Sequence, residues 1–192
     1  MKLILASSSP YRREMLKRLR IPFSVIPAHV NEAPLPNERP DDLAKRLAYE
    51  KAQFVVEKHP NAVVIGADQV AALGEKHLGK PGCHKQAVEQ LKQMSGHTVY
   101  FHSAISVCQA KTTKQRVVTT RCQFRTLTNK EINQYLEIEK PYDTAGSAKA
   151  EGLGIALMES MQSDDPTAII GLPLIALCDL LRQFNLNPLI TN

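Results

Sequence analysis

Three hydroxyls and two guanidiniums crowd one short stretch, Ser7-Ser8-Ser9-Pro10-Tyr11-Arg12-Arg13. A turn that leads into a helix N-terminus offers unpaired backbone N–H groups and the positive end of the helix dipole, and both favour an anion. Arginine in a first helical turn runs against that dipole, so a bound phosphate accounts for two of them there. Ordinary serine capping with solvated arginines is the alternative, and either Arg12 or Arg13 can face the anion. Asp68 is the second anomaly. It interrupts an apolar run between Val63-Val64-Ile65-Gly66-Ala67 and Gln69-Val70-Ala71-Ala72-Leu73, where aspartate is disfavoured and unpaired burial is costly. Such a carboxylate needs a cation or a chemical task, unless the strand stops at Gly66 and Asp68 only caps a turn. Lys51 is the third. On a helical wheel it falls between Ala44 and Leu47, flanked by Ala48 and Val55, so it faces inward or snorkels along the helix to water.

An anion cradle, an inward lysine and an isolated strand carboxylate suit a phosphate ester or anhydride handled with a divalent metal. The carboxylate and the ion activate water while Arg and Lys stabilise charge on the phosphates. Other candidates carry less by themselves. Glu32, in a proline-rich loop, can reach a metal or simply be solvated. Lys80 in Gly79-Lys80-Pro81 is a commonplace turn lysine, and Glu151 in the glycine-punctuated stretch from Gly146 to Gly152 reads as a solvated loop carboxylate. The six histidines show no H-x-x-x-H spacing and the chain has no G-x-S-x-G elbow, so a histidine zinc centre and that type of serine nucleophile are not indicated.

The elements that position these residues follow from pattern. Leu3 to Ala6 is an all-apolar strand; Ser9 and Pro10 then start a helix whose apolar face is Met15, Leu16 and Leu19. Phe23 to Ile26 reads as a strand, Pro27 to Pro40 as a long loop, and Asp41-Asp42 as the start of a helix running from Leu43 to Val56. Ala62 to Leu73 is the strongest strand signal, followed by a hairpin turn at Gly74 to His77. Ala87, Val88, Leu91 and Met94 mark a helix, Val99–Val107 and Val117–Phe124 are paired strands about a turn at Lys111 to Gln115, and Thr128 with Glu131 forms a capping box. A strand near Ala156 to Ser160 and a helix from Pro173 complete an alternating pattern, so the class is α/β.

Composition bounds the rest. With 192 residues, 43% hydrophobic and 22% charged, the chain is expected to be one soluble domain over residues 1–192. The start is too briefly apolar for a signal peptide and no apolar run suits a membrane span, which predicts a cytoplasmic protein with no membrane partner. Four scattered cysteines without a C-x-x-C pair read as buried free thiols. A net charge of +5 favours anionic partners, but no Trp and only five Phe and five Tyr disfavour a nucleic-acid stacking platform.

Taken in order, Leu3-Ile4-Leu5-Ala6-Ser7-Ser8-Ser9-Pro10 with Arg12-Arg13, Glu50-Lys51-Ala52, Ile65-Gly66-Ala67-Asp68, Gly79-Lys80-Pro81, Ala145-Gly146 and Gly171-Leu172-Pro173 resemble the Maf family of nucleoside triphosphate pyrophosphatases over essentially the whole chain. The resemblance implies a mixed twisted sheet with flanking helices and two lobes around a cleft, similar to the inosine triphosphate pyrophosphatase-like (Maf/Ham) fold. It also implies a divalent cation (Mg2+, Mn2+ or Co2+) and hydrolysis of a nucleoside triphosphate to monophosphate and pyrophosphate. Asp68 is then the general base, Ser7, Arg12 or Arg13, Lys51 and Lys80 bind phosphates, and Glu32 holds metal or phosphate, with Asp68 also a metal ligand.

Gly66-Ala67-Asp68-Gln69-Val70, Ser147-x-Lys149-x-Glu151-Gly152 and the run from Gly171 to Cys178 resemble the members that act on 7-methyl-GTP. By that likeness Tyr11, Gln69 and Glu151 join the substrate contacts; an aromatic face and a carboxylate both suit a cationic methylated guanine. The chain departs from those members at Tyr11, Ala148 and Ala150, where they carry Trp, Phe and Ser, which predicts a looser base pocket. The alternatives are the same reaction on dTTP or UTP, or a non-enzymatic basic regulator of cell division and septum formation. The resemblance favours a homodimer.

Overall fold

The 11-residue strand that carries Asp68 is the centre of the molecule. The structure, a computed structural model, describes residues 2–190, so the first and the last two positions of the domain expected over 1–192 lie outside the described residues. Among the described residues, seven strands form one sheet: β1 (Leu3–Ala6), β2 (Phe23–Val25), β3 (Val63–Leu73), β4 (Lys76–Leu78), β5 (Thr98–Gln109), β6 (Thr112–Phe124) and β7 (Met158–Gln162). Their order is β2-β1-β3-β5-β6-β7, with β4 also on β3. The β2-β1-β3 side is parallel and the rest antiparallel. Among the described residues five α-helices flank it: α1 (Pro10–Lys17), α2 (Pro40–Val56), α3 (His84–Met94), α4 (Asn129–Glu139) and α5 (Leu174–Arg182). The expected mixed α/β sheet with flanking helices is therefore found.

Alternation along β3 divides the core. On one face, α2 packs Ala52, Val55 and Val56 against Ile4, Val64 and Cys108, and Leu43, Leu47 and Ala48 against Val70 and Ala104. On the other face two separate groups sit side by side. Helices α1 and α5 cover Leu3, Leu5, Val63 and Ile65, while α3 and α4 cover Ala71, Phe101 and Phe124.

Several expectations shift. The β5–β6 turn is only Ala110-Lys111, not Lys111 to Gln115, because Ala110 takes a positive φ of 51° and Thr112 already pairs with Gln109. Among the described residues, the polar start of β6 has β5 as its only strand partner, so an alternating charged sequence extends the ribbon without a second face to bury. The last strand begins at Met158, since Leu153–Leu157 forms a 3-10 turn first. Helix α2 starts at Pro40, with Asp41 and Asp42 inside its first turn. All four cysteines are free, but only Cys108 and Cys122 are buried. Cys83 is exposed beside the start of α3 and Cys178 lies half-exposed on α5, so two of the four expected burials fail. No helix among the described residues is long and apolar enough to cross a membrane.

Candidate active site

The sheet splits at one edge of β3. Pairing with β1 ends at Ala6–Gly66 and pairing with β4 begins at Ala71–Leu78, so residues 67–70 lack a strand neighbour on that edge. A cleft of about 580 Å³ opens there, between the α1/α2 side and the segment leading from α4, a size suited to a nucleotide. Asp68 stands at its floor. A Cβ on Gly66 would lie 2.1 Å from the Ala48 carbonyl oxygen, so only glycine lets α2 rest directly on the strand. That close approach carries Lys51 to Asp68: Nζ donates to Oδ1 at 2.6 Å, and the two residues are 6% and 8% exposed.

Lys51 Nζ also lies 2.5 Å from Glu32, which reaches in from the loop after β2. Burial pushes the Glu32 carboxyl up, but the hydrogen bond and charge of Lys51, with Lys80 and Arg12 adding, bring it below the ordinary range. The loop is clasped to α2 by Arg46, whose guanidinium donates to both Glu38 oxygens, to Glu50 and to the Ala33 carbonyl.

Opposite, the β1–α1 turn forms a wall. Ser9 caps α1 by accepting from Arg12 N, and the buried Ser7 hydroxyl accepts from Ser9 N. Arg12 lines the cleft and its Nε donates to the Gly171 carbonyl at 3.0 Å. Burial lowers its pKa, opposed by the charges of Asp68 and Glu32. Arg13 is exposed and does not line the cleft. Met15 and Leu16 lie three and four positions beyond Arg12, and Leu16 also lies three beyond Arg13, so the helix face alone does not separate the two.

Tyr11, Lys80 and Glu151 occupy the rim. Desolvation raises the Glu151 carboxyl, with Glu139 and Asp143 reinforcing and Lys149 opposing. Gln69 lines the cleft too, but its amide nitrogen already donates to Ser103 Oγ and to the carbonyls of Ala168 and Ile169, which ties it to the loop before α5. Thus the cleft gathers Ser7, Tyr11, Arg12, Glu32, Lys51, Asp68, Gln69, Lys80 and Glu151, and leaves out Arg13.

Sequence reasoning missed the supports. Asp165, 2% exposed, accepts from Thr167 N, Thr167 Oγ1, Ile175 N and Ala176 N, holding the loop whose Gly171 carbonyl takes Arg12. Its signal was an Asp-Asp-Pro-Thr turn ahead of Gly-Leu-Pro. Arg46 has a local signal only in its i,i+4 pair with Glu50; its bonds to Glu38 and Ala33, and those of Glu139 to Lys149 and Leu153, cross to loops and carry none.

No group of three or more His, Cys, Asp or Glu side chains among the described residues is placed to hold a metal. Glu32 and Asp68 nevertheless share one cation, the Lys51 ammonium. Two carboxylates sharing a cation fit a Mg2+-like ion that takes its remaining ligands from phosphate and water, and do not fit a closed zinc site.

The family described as Maf-like protein matches residues 2–184. A protein of Bordetella pertussis named 7-methyl-GTP pyrophosphatase is 58% identical over 188 residues, covering 98% of this chain and 94% of that protein. One of the same name from Cupriavidus pinatubonensis is 53% identical over 184 residues, covering 95% and 92%. Among solved structures, the Ham1 protein of Staphylococcus aureus aligns with a TM-score of 0.49 and 16% identity over 66% of this chain and 73% of that one.

Proposed function

This chain belongs to the Maf family, and from that footing we propose that it hydrolyses 7-methyl-GTP to 7-methyl-GMP and pyrophosphate. The observation that carries the chemistry is the buried Asp68 at the split in the sheet, held by Lys51 and faced by the Ser7–Arg12 turn. Asp68 takes a proton from water as its oxygen bonds to the α-phosphorus; the bond from that phosphorus to the bridging oxygen breaks and pyrophosphate leaves. Arg12, Lys51 and Lys80 offset the charge on the phosphates from different sides, with the Ser7 hydroxyl beside them. Tyr11 stacks the base and the Glu151 carboxylate faces its positive charge.

A divalent ion, Mg2+, Mn2+ or Co2+, held by Asp68 and Glu32 supplies Lewis-acid polarisation of the phosphates when bound. Lys51, which lies against both carboxylates, would stand beside such an ion and would bind phosphate with Arg12 and Lys80. In this reading residues 1–192 act as one cytoplasmic domain, as a homodimer, on a free nucleotide and not on nucleic acid. A turnover panel of 7-methyl-GTP, GTP, dTTP and UTP with each metal, and with EDTA, is the test. The expected result is metal-dependent release of pyrophosphate with 7-methyl-GTP foremost. Turnover of dTTP or UTP with none on 7-methyl-GTP overturns the base assignment, and no turnover of any nucleotide overturns the enzymatic reading.

A further inference from the structure

Helix α4 does not line the cleft, yet it holds the rim segment that does. The Tyr135 hydroxyl accepts from Lys149 N and donates to the Ser147 carbonyl, each at 3.0 Å. Four residues further on, Glu139 Oε1 accepts from Leu153 N at 2.5 Å and Oε2 lies 3.3 Å from Lys149 Nζ. A Cβ on Gly152 would stand 2.5 Å from Glu139 Oε1, so the carboxylate lies against the backbone of that glycine. The ammonium that it holds sits 5.7 Å from the centre of the Tyr11 ring.

That placement sets a charge problem. A base stacked on Tyr11 shares the ring with the Lys149 ammonium, and a base that is itself a cation meets a like charge at short range. Glu139 removes it: its side chain is only 15% exposed and that of Lys149 26%, so solvent screens the pair incompletely. Glu151 then remains as the carboxylate facing the base. We propose that Glu139 is a positioning residue for base recognition, which neutralises and holds Lys149 beside Tyr11 so that the cleft accepts a positively charged purine. This rests on the assignment of 7-methyl-GTP above.

Dissociation constants of 7-methyl-GMP and GMP, measured by calorimetry at mildly acidic pH where the methylated base keeps its positive charge, read this out without turnover. Wild-type protein is expected to prefer 7-methyl-GMP. Glu139→Gln reduces the ratio by about tenfold, the effect of one uncompensated charge in partly solvated surroundings. Adding Lys149→Met to Glu139→Gln restores the ratio, which a merely structural role of Glu139 would not predict. A ratio unchanged within about twofold in Glu139→Gln, or not restored in the double variant, overturns the role. If Glu139→Gln does not fold, Lys149→Met alone decides: the preference is kept or strengthened, and a weakened one overturns the role. Absence of any preference in the wild type overturns the base assignment and this inference together, whereas a wild-type preference left unchanged within about twofold by Glu139→Gln overturns only the latter.

Discussion

Lys51 and Asp68 form an ion pair with only 6% and 8% exposure, Nζ to Oδ1 2.6 Å, and the pair is asymmetric because Lys51 has a second carboxylate, Glu32, 2.5 Å away. Removing either partner therefore has a different cost. Lys51→Met leaves Asp68 buried without its ion partner and is expected to destabilise the fold by about 3–5 kcal/mol, measured by urea denaturation. A loss below about 1 kcal/mol would show that water solvates Asp68.

Asp68→Asn leaves Lys51 paired with Glu32, so the fold is expected to persist. If Asp68 is the base, kcat falls by at least about 10²-fold while the thermal transition changes little. Near-normal turnover by a folded Asp68→Asn protein removes Asp68 from the chemistry.

Gly66→Ala tests how α2 delivers Lys51. The new Cβ would stand 2.1 Å from the Ala48 carbonyl oxygen and 2.7 Å from Ala52 N, both backbone atoms that cannot turn aside. A destabilisation of about 1–3 kcal/mol is expected, with a larger loss of kcat than a surface glycine substitution gives. Wild-type stability in Gly66→Ala would mean that the helix can lift from the sheet freely.

The clasp beneath Glu32 has a pH signature. Hydrogen bonds from Arg46 to both Glu38 oxygens, aided by Leu35 N, lower the Glu38 carboxyl from 4.5 to about 2. A depressed carboxyl stabilises the fold above its unfolded value, near 4.5, and that contribution is lost as pH falls toward about 2. In Glu38→Gln the melting temperature drops at neutral pH, and the difference from wild type shrinks across that acid window. A constant difference at every pH would refute the linkage.

Tyr11→Ala removes the proposed stacking face. Loss of a base–aromatic contact is worth about 1–3 kcal/mol, so KM for 7-methyl-GTP is expected to rise by roughly tenfold or more with kcat less affected. Tyr11→Trp, which supplies a larger face, is expected to lower KM. An unchanged KM in Tyr11→Ala places the base elsewhere.

Much of this was legible because the signals are local. The strand–turn–helix at Leu3 to Lys17, with its Ser9 cap, depends on residues within a few positions of one another. Lys51 in an apolar stripe and Asp68 in an apolar strand stand out because burial of charge is expensive wherever the chain goes. Legibility failed where a partner is distant. Arg46 clasps Glu38 across a loop, Asp165 holds the N-terminus of α5, and Glu139 reaches Lys149 and Leu153 only because α4 lies against the rim.

By itself, then, the sequence determined which elements form and which charged residues, Lys51 and Asp68, stand in apolar surroundings, since periodicity, capping and the cost of burying charge act locally. The tertiary structure alone decided that Glu32 and Asp68 share Lys51, that Arg12 and not Arg13 faces the cleft, and that one edge of β3 lacks a strand neighbour at residues 67–70 while the other pairs with β5. Those outcomes depend on strand order, register and the close seat of α2 on Gly66. These are contacts between segments far apart in the chain, and no local propensity encodes the distance between them.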